Sequence, residues 1–443
     1  MLSYPVRIAL IAAIGGFLFG FETVVISGAE KTLEVIWHLN RFAHGFTVAS
    51  SLLGTILGSL IASAPAQKYG RKKVLQVIAL FFIVAAVGCA GVSAWGLFIL
   101  FRIIGGLAVG ASSVVAPMYI SEIAPASLRG RLAGSFQLNI VLGIMIAFLT
   151  NFFLKDLGDN AWRYMLGVMI VPAVLFWILL RAIPESPRWL VLNDRDAEAI
   201  PVMEKLKEKN VPEAIRIIRD SVKEHKEVLF QKRYIKPILY AVLLAMFNQL
   251  SGINAILYYS PRIFEMAGFN KNDSFLQSVY VGAANLLFTM LAMTVIDKFG
   301  RKKLLLIGSV GMIVFLGLTA NAFMAGLTGN SHVLLYLIGF IAFFAFSQGA
   351  VIWVFISEIF PNSVRSQGGS LGSFTHWIMA AIISWTFPVI VEKPGHPEDT
   401  TGAGYFFVFF SLMMLVQLIF IWRVMPETKG RSLEEIQQDL GIA

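Results

Sequence analysis

The chain is poor in charge. Asp, Glu, Lys and Arg make up 14% of its 443 residues, against about 25% in soluble domains. With 57% hydrophobic residues and a mean hydropathy of +0.73, this shortage excludes a single soluble core. Cysteine is almost absent: Cys89 stands alone inside an apolar run, which excludes an intrachain disulfide. No Cys/His spacing of a metal site occurs, so no metal is expected. No nucleophile–base set and no phosphate-cradling loop is visible, so neither an enzyme nor a cofactor is expected. The net charge of +9 would suggest nucleic acid as a partner of a soluble protein. Here the Lys and Arg residues fall in short loops between apolar runs, the pattern that orients membrane proteins, and no nucleic-acid partner is expected. The N-terminus shows no cleavable signal pattern; its first apolar run is long enough to span a bilayer.

What is present is a series of twelve apolar runs, at 6–28, 45–65, 74–94, 96–120, 132–153, 163–183, 235–262, 275–296, 304–325, 332–357, 366–391 and 403–424. Each approaches the length of about 20 residues that a spanning helix needs. The loops alternate in charge. Lys68, Arg71, Lys72, Lys73, Arg129, Arg131, Arg188, Lys298, Arg301, Lys302, Lys303, Arg365, Lys429 and Arg431 share one side, and Glu30, Glu34, Asp156, Asp159 and 392–399 share the other. The positive-inside rule places both termini in the cytoplasm. The polar segment 191–234 falls on the same side. It is expected to form amphipathic helices over Ala197 to Lys209 and Pro212 to Val228, with Met203, Leu206, Ile215 and Ile218 on one face.

An internal repeat organises the chain. Lys68-Tyr69-Gly70-Arg71-Lys72-Lys73 follows the second run and Lys298-Phe299-Gly300-Arg301-Lys302-Lys303 the eighth, with Gly70 and Gly300 230 residues apart. Ser121-Glu122-Ile123-Ala124-Pro125 with Arg129 follows the fourth run, and Ser357-Glu358-Ile359-Phe360-Pro361 with Arg365 follows the tenth. Two motifs in the same order after equivalent runs indicate two six-helix halves of like orientation. Parallel repeats of this kind are a transporter architecture, with the substrate site near the bilayer midplane. The expected fold is an all-α membrane protein of twelve transmembrane helices in two pseudo-symmetric six-helix bundles. Its parts are 1–190, a cytoplasmic helical linker over 191–234, 235–425, and a tail over 426–443.

Two polar features interrupt the apolar runs. Glu22 lies in the first run, and an intramembrane carboxylate is functional by default. It stands fifteen residues beyond Arg7, roughly 22 Å along a helix. Arg102 of the fourth run enters from the opposite side to a matching depth and is its expected partner. In the seventh run, Asn248, Gln249 and Asn254 lie near the middle of an apolar stretch with Ser251 and Gly252 between them. Each amide at that depth costs several kcal/mol, as an order of magnitude, unless it is paired. The amides must face other helices, a watery cavity or a polar ligand.

The chain resembles the sugar porter family of the major facilitator superfamily over nearly its whole length. The marks are the two GRKK loops, Arg102-Ile103-Ile104-Gly105-Gly106, the paired SEI-x-P motifs, and Gln137-Leu138 in the fifth run. Pro184-Glu185-Ser186-Pro187-Arg188-Trp189-Leu190, Gln249-Leu250-Ser251-Gly252-Ile253-Asn254 and Pro426-Glu427-Thr428-Lys429-Gly430-Arg431 complete them. The resemblance is nearest to bacterial sugar:proton symporters. It implies transport of a monosaccharide by alternating access, with the proton as coupling ion and Glu22 and Arg102 as the coupling pair. A uniporter of the same fold and a non-transporting sugar sensor are the alternatives; the short tail disfavours a sensor. The resemblance maps sugar contacts onto Gln137, Asn248, Gln249, Asn254, Tyr258, Asn285, Trp353 and His376. It also implies a cytoplasmic salt-bridge latch between the halves from Arg71, Glu122, Arg129, Glu185, Asp297, Arg301, Glu358, Arg365 and Glu427. Expected partners are a small sugar and the lipid bilayer of a bacterial inner membrane, with the protein as a monomer.

The chain departs from the family pattern in places. Glu22 replaces an Asp, Asn248 replaces the first Gln of a pair, and His376 stands where Gln or Asn is common. Gln67 replaces the Asp of the first basic loop, which predicts a latch weaker in the first half. Gly349-Ala350-Val351-Ile352-Trp353 lacks both prolines of the family motif, which makes gating by the tenth helix less secure, with Gly349 as the residue that could still allow bending. Tyr258, more than Tyr259, is the expected outer gate.

Overall fold

In the computed structural model, the described residues are 3–125, 128–208, 210–220, 227–327, 332–361, 363–391, 400–431, 433–440 and 442. They contain helices and turns and no strand. Twelve helical stretches are long and apolar enough to cross a membrane. They are Tyr4–Gly28, Arg41–Ile61, Arg71–Gly91, Trp95–Ile123, Gly130–Leu154, Ala161–Ala182, Lys232–Tyr258, Lys271–Ile296, Arg301–Met324, His332–Ile356, Arg365–Val391 and Thr401–Arg423. These are spans 1 to 12 below, and they coincide with the twelve apolar runs. The acidic stretch 392–399 lies outside the described residues, as do the side chains of Arg129 and Asp297.

The helices group into two compact units. Unit 1 comprises Met1–Thr23, Leu53–Ala147 and Arg163–Lys226; unit 2 comprises Val24–Leu52, Phe148–Trp162 and Glu227–Ala443. Unit 2 thus contains the spans of the second half and also the ends of spans 1, 2, 5 and 6 remote from the basic loops. Within unit 1 a short helix, Pro187–Leu192, leads into the linker; it is capped by the Ser186 hydroxyl, which accepts from the Trp189 amide, with Pro187 in its first turn. Helices Asp196–Lys205 and Val211–Asp220 follow. Met203 is buried against Trp189, Leu190, Val191 and Ala199, and Ile215 and Ile218 pack onto the same cluster. The amphipathic faces read from the sequence cover the PESPRWL segment. The expected extension of the second helix to Val228 passes through 221–226, outside the described residues.

Two spans are interrupted. In span 7 the helix Ile235–Gln249 ends before Leu250, and a second helix, Ile253–Tyr258, starts after Gly252. Gly252 has φ of +85°, and a Cβ there would lie 2.2 Å from a ring carbon of Phe410. Both the backbone and the packing therefore require glycine. In span 10 the helix His332–Phe346 stops at Ser347, and Gln348–Glu358 resumes it. The break forms without the family's prolines, one residue before Gln348-Gly349. Ser347 takes φ −118° and ψ −83°, and its hydroxyl donates to the Phe343 carbonyl at 2.6 Å, competing with the helix ladder. In span 11 Pro388 sits inside the helix.

Gly252→Ala should lower the melting temperature in detergent markedly more than Gly158→Ala. Both residues have positive φ, but a Cβ at Gly158 meets nothing within 4 Å. The second substitution isolates backbone strain of about 1–2 kcal/mol; equal losses would show that the Phe410 contact is unimportant.

Candidate functional site

Within unit 1, Arg102 of span 4 donates from Nη1 to Glu22 Oε1 of span 1 at 2.6 Å. The same nitrogen lies 3.4 Å from the Glu22 carbonyl. Glu22 is 3% exposed and Arg102 1%, so the pair sits away from water, as the depth argument required. Its geometry is one-pronged. Arg102 Nε is buried with no hydrogen-bond partner, so the guanidinium fork is not fully used. One-pronged contact gives up the second parallel bond of a bidentate pair and is the easier to break. Gln137, the other first-half candidate, is half-buried on span 5 in unit 1.

Within unit 2 the interruption of span 7 brings its amides together. Asn248 and Gln249 are 2% and 1% exposed. Gln249 donates to Asn248 Oδ1 at 3.0 Å, and Asn254 donates to Gln249 Oε1 at 3.0 Å. The Gln249 amide nitrogen lies 3.1 and 3.4 Å from the two ring nitrogens of His376 on span 11. An amide NH2 group against the ring suits the neutral imidazole, since two opposing donors would repel. His376 in turn meets the rings of Trp353 at 5.0 Å and Trp377 at 4.7 Å. The structure thus brings Asn248, Gln249, Asn254, His376 and Trp353 into one polar and aromatic cluster. Tyr258 is buried at the end of the same span and Asn285 is buried on span 8. Such a set, amides that both donate and accept beside aromatic faces, suits an uncharged polyhydroxylated ligand. By contrast, a groove of about 480 Å³ lined by Leu306, Ile307, Val310, Val314, Phe315 and Phe343 offers no groups for hydroxyls.

The basic-loop motifs repeat the same geometry in each half. Arg71 grips Glu122 with two bonds, of 2.9 and 2.8 Å. Glu185 accepts from the backbone amides of Arg71 and Lys72 at 2.9 and 3.1 Å, capping the start of span 3. In the second half Arg301 donates to Glu358 at 2.8 Å. Glu427 accepts from the amides of Arg301 and Lys302 at 2.9 and 3.1 Å. The two half-motifs are further tied by Ser186 to Glu122 at 2.5 Å and Thr428 to Glu358 at 2.6 Å. These bonds are all made inside one half, and the carboxylates of the PES and PET segments cap helix starts through backbone amides. Of these local pairs the first-half one is the more buried, at 7% and 8% against 12% and 26% side-chain exposure. Gln67 stands outside the pair and accepts at its carbonyl from Trp189 Nε1 at 2.7 Å. Arg365 lies near the Phe360 carbonyl, 3.3 Å from its Nε.

A further charged cluster in unit 2 was missed by the sequence reading, which took Glu30 and Glu34 as loop charges. Glu30 is 1% exposed and His44 of span 2 is fully buried. His44 Nε2 and Glu30 Oε2 are 2.6 Å apart. Arg262, just beyond span 7, lies 3.1 Å from His44 Nδ1 and 3.4 Å from Glu30, and bonds Glu34 as well. Lys31 pairs with Glu265 alongside. Arginine only donates, so Nδ1 accepts from Arg262. Burial raises the Glu30 pKa, but Arg262, His44 and Lys31 outweigh it and hold the carboxyl below its ordinary value. Glu30, Glu34 and His44 bring ligand-type atoms within 4.8 Å of one another, and the cation seated among them is the Arg262 guanidinium.

Tyr259 lies beneath this cluster, its ring edge-on to His44 at 5.9 Å and stacked on Phe387 at 4.5 Å. Its hydroxyl donates to the Ser384 carbonyl at 3.0 Å. That carbonyl is available because Pro388, four residues on, has no N–H to bond it. Beside it, Trp385 Nε1 donates to the Phe42 carbonyl at 3.0 Å. A Cβ on Gly45 would come within 1.9 Å of the Trp385 carbonyl, so glycine permits this close crossing. Tyr259, the less favoured of the two tyrosines, is seated against the charged cluster. The available signal was a histidine and an arginine at the ends of apolar runs facing an acidic loop.

Comparison with known proteins agrees with these features. The family model described as sugar (and other) transporter matches residues 8–440. The chain is 34% identical to the arabinose-proton symporter of Bacillus subtilis, covering 99% of this chain and 95% of that protein. It is 34% identical to the D-xylose-proton symporter of Escherichia coli K12, covering 98% and 95%. Its fold matches the inward open conformation of the xylose transporter XylE from E. coli with a TM-score of 0.87 at 33% identity, covering 98% of this chain and 99% of that one. With twelve spans, paired basic-loop motifs and a polar cluster inside the second half, the chain belongs to the sugar transporter family of the major facilitator superfamily.

Proposed function

We propose that the protein is a proton-coupled monosaccharide symporter of a bacterial inner membrane, working by alternating access. The observation that carries this reading is the buried, one-pronged Glu22–Arg102 pair. A facilitator needs no titratable group at that depth, whereas a symporter needs one whose charge decides a helix contact. Protonating Glu22 removes its attraction for Arg102, so proton binding biases the equilibrium between the two access states. The relatives named as proton symporters support the same reading.

The sugar contacts are assigned to Asn248, Gln249, Asn254, Tyr258, Asn285, Trp353 and His376, together with Gln137. No cofactor enters: the proton is the coupling ion and the gradient the energy source. The division into 1–190, 191–234, 235–425 and 426–443 follows the repeat and is the proposed functional one. The Arg71 and Arg301 clusters keep the basic loop of their own half in shape. The Glu30–Glu34–His44–Arg262 cluster is assigned as the outer closure, because it joins the ends of spans 1 and 2 to spans 7 and 11 inside one compact unit.

Two experiments test this reading. In proteoliposomes with an imposed pH gradient, Glu22→Gln should abolish uphill sugar accumulation while sugar exchange across the membrane persists. Undiminished accumulation would remove Glu22 from coupling. For the closure, Arg262→Gln leaves Glu30 and Glu34 without their cation, and breaking a buried pair costs about 3–5 kcal/mol. In a Cys89→Ser background, Ser384→Cys should then react at least about tenfold faster with an impermeant maleimide from the periplasmic side. Without Arg262→Gln, labelling should stay slow at neutral pH. Because the Glu30 pKa is lowered, its contribution is present above the ordinary carboxylate value of 4.5 and is lost as pH falls below it. Equal labelling with and without Arg262→Gln would rule out the closure.

A further inference from the structure

The sugar-site amides do not end at Asn248. Asn248 Nδ2 donates to Gln348 Oε1 at 3.2 Å. Gln348 Nε2 donates to Gln417 Oε1, and Gln417 Nε2 donates to the Ser309 hydroxyl oxygen at 2.8 Å. Ser309 donates its own proton to the Leu305 carbonyl at 2.7 Å. A single file of hydrogen bonds therefore runs from span 9 through spans 12 and 10 to the amides of span 7. Ser309, Gln348 and Gln417 are fully buried, and each link is a direct bond between side chains.

The direction of the file has a physical cause. A primary amide has a donor end and an acceptor end, and it can turn over if its partners allow. The Ser309 proton is spent on Leu305, which leaves only lone pairs for Gln417. Gln417 must then present its NH2 group to Ser309 and its oxygen to Gln348. The same constraint passes to Gln348, to Asn248 and to Gln249, whose NH2 group faces Asn248 and His376. It ends at Asn254, one N–H of which is taken by Gln249. The partly exposed Asn254 keeps its oxygen and its second N–H for other partners. Reversing one amide would set two like ends against each other at buried positions and leave buried polar groups unsatisfied.

We propose that Ser309, Gln417 and Gln348 are positioning residues that fix the donor and acceptor sense of Asn248, Gln249 and Asn254, and so decide which sugar hydroxyl pattern the site accepts. This rests on the assignment of those amides to the sugar site. Gln348 occupies the position directly before the Gly349-Ala350-Val351-Ile352-Trp353 stretch. From there it carries the sense of the file past the interruption of span 10 to the cluster containing Trp353 and His376.

The test uses full-length protein in proteoliposomes with D-glucose or D-xylose, whichever the wild type takes up, and its monodeoxy and monofluoro analogues. A fluorine accepts weakly and cannot donate, so an acceptor-presenting site rejects the fluoro analogue as it rejects the deoxy one. Gln348→Leu and Ser309→Ala should each raise KM for the natural sugar about tenfold, the equivalent of one lost hydrogen-bond constraint. The maximal rate and the pH-driven accumulation should stay within about twofold. Both variants should narrow the gap between the natural sugar and the fluoro analogue, because the released amides can turn over. Ser309→Thr, which keeps the hydroxyl, should retain the wild-type KM and discrimination. Gln348→Leu combined with Gln417→Leu removes both orphaned amides and should fold at least as well as either single change. Should Gln348→Leu fail to fold, Ser309→Ala and the double variant decide. Gln249→Leu is the control for the site itself. If Gln249→Leu abolishes uptake while Ser309→Ala and the double variant keep wild-type KM and discrimination, the relay is overturned. If Gln249→Leu leaves KM unchanged, the assignment of the sugar site fails instead.

Discussion

A polar group inside the bilayer has no water to fall back on, so its partner must be another part of the protein. The internal arrangement of this transporter follows from that constraint. Gln249 and Asn248 satisfy each other and draw in Asn254, His376 and Gln348. Gln348 and Gln417 satisfy each other and end on Ser309. The helix breaks obey the same rule. Ser347 returns a hydrogen bond to Phe343 where span 10 is interrupted, and Tyr259 supplies the bond that Pro388 denies to Ser384. A substrate rich in hydroxyls can enter such a region because it offers the same kind of bonds as the groups already there.

The ion pairs divide by geometry. Arg71 holds Glu122 with two parallel bonds while a hydroxyl and backbone groups complete the shells around it. Such a cluster is rigid, and rigidity suits a loop that must keep its shape. Arg102 meets the Glu22 carboxylate through one nitrogen, with Nε unsatisfied. That pair is buried, and one side of its guanidinium is unused. The Arg262 cluster lies between these cases: one cation is shared among Glu30, Glu34 and His44, and the histidine completes it only in the tautomer that leaves Nδ1 bare. In the proposed function, charge supplies a scaffold in the first case, a sensor in the second and a closure in the third.

Much of this was legible from residue order. The apolar runs became the spans, because a stretch of about 20 apolar residues has few alternatives in lipid. Depth counting along two helices was enough to pair Glu22 with Arg102. Gly252 was legible as a bend, since a glycine among amides weakens the ladder where it is already interrupted. Other features were not legible. Glu30 and Glu34 looked like ordinary loop charges, because their burial depends on Arg262 and His44 arriving from other parts of the chain. The break in span 10 was masked by the missing prolines, and the direction of Gln348 could not be read from its position in a helix.

The sequence by itself determined the membrane class, the twelve spans, the doubling into two halves, the orientation and the presence of a carboxylate and amides at depth. Each of these rests on local composition, or on a motif repeated at a fixed offset. The tertiary structure decided the partners: which face of span 10 meets spans 7 and 12, which tyrosine sits under the charged cluster, and whether Glu185 and Glu427 pair with side chains or cap helices. The reason is physical. A hydrogen bond needs donor and acceptor within about 3 Å and correctly aimed. Between residues about a hundred positions apart, such as Asn248 and Gln348, only the packing of the helices sets that distance.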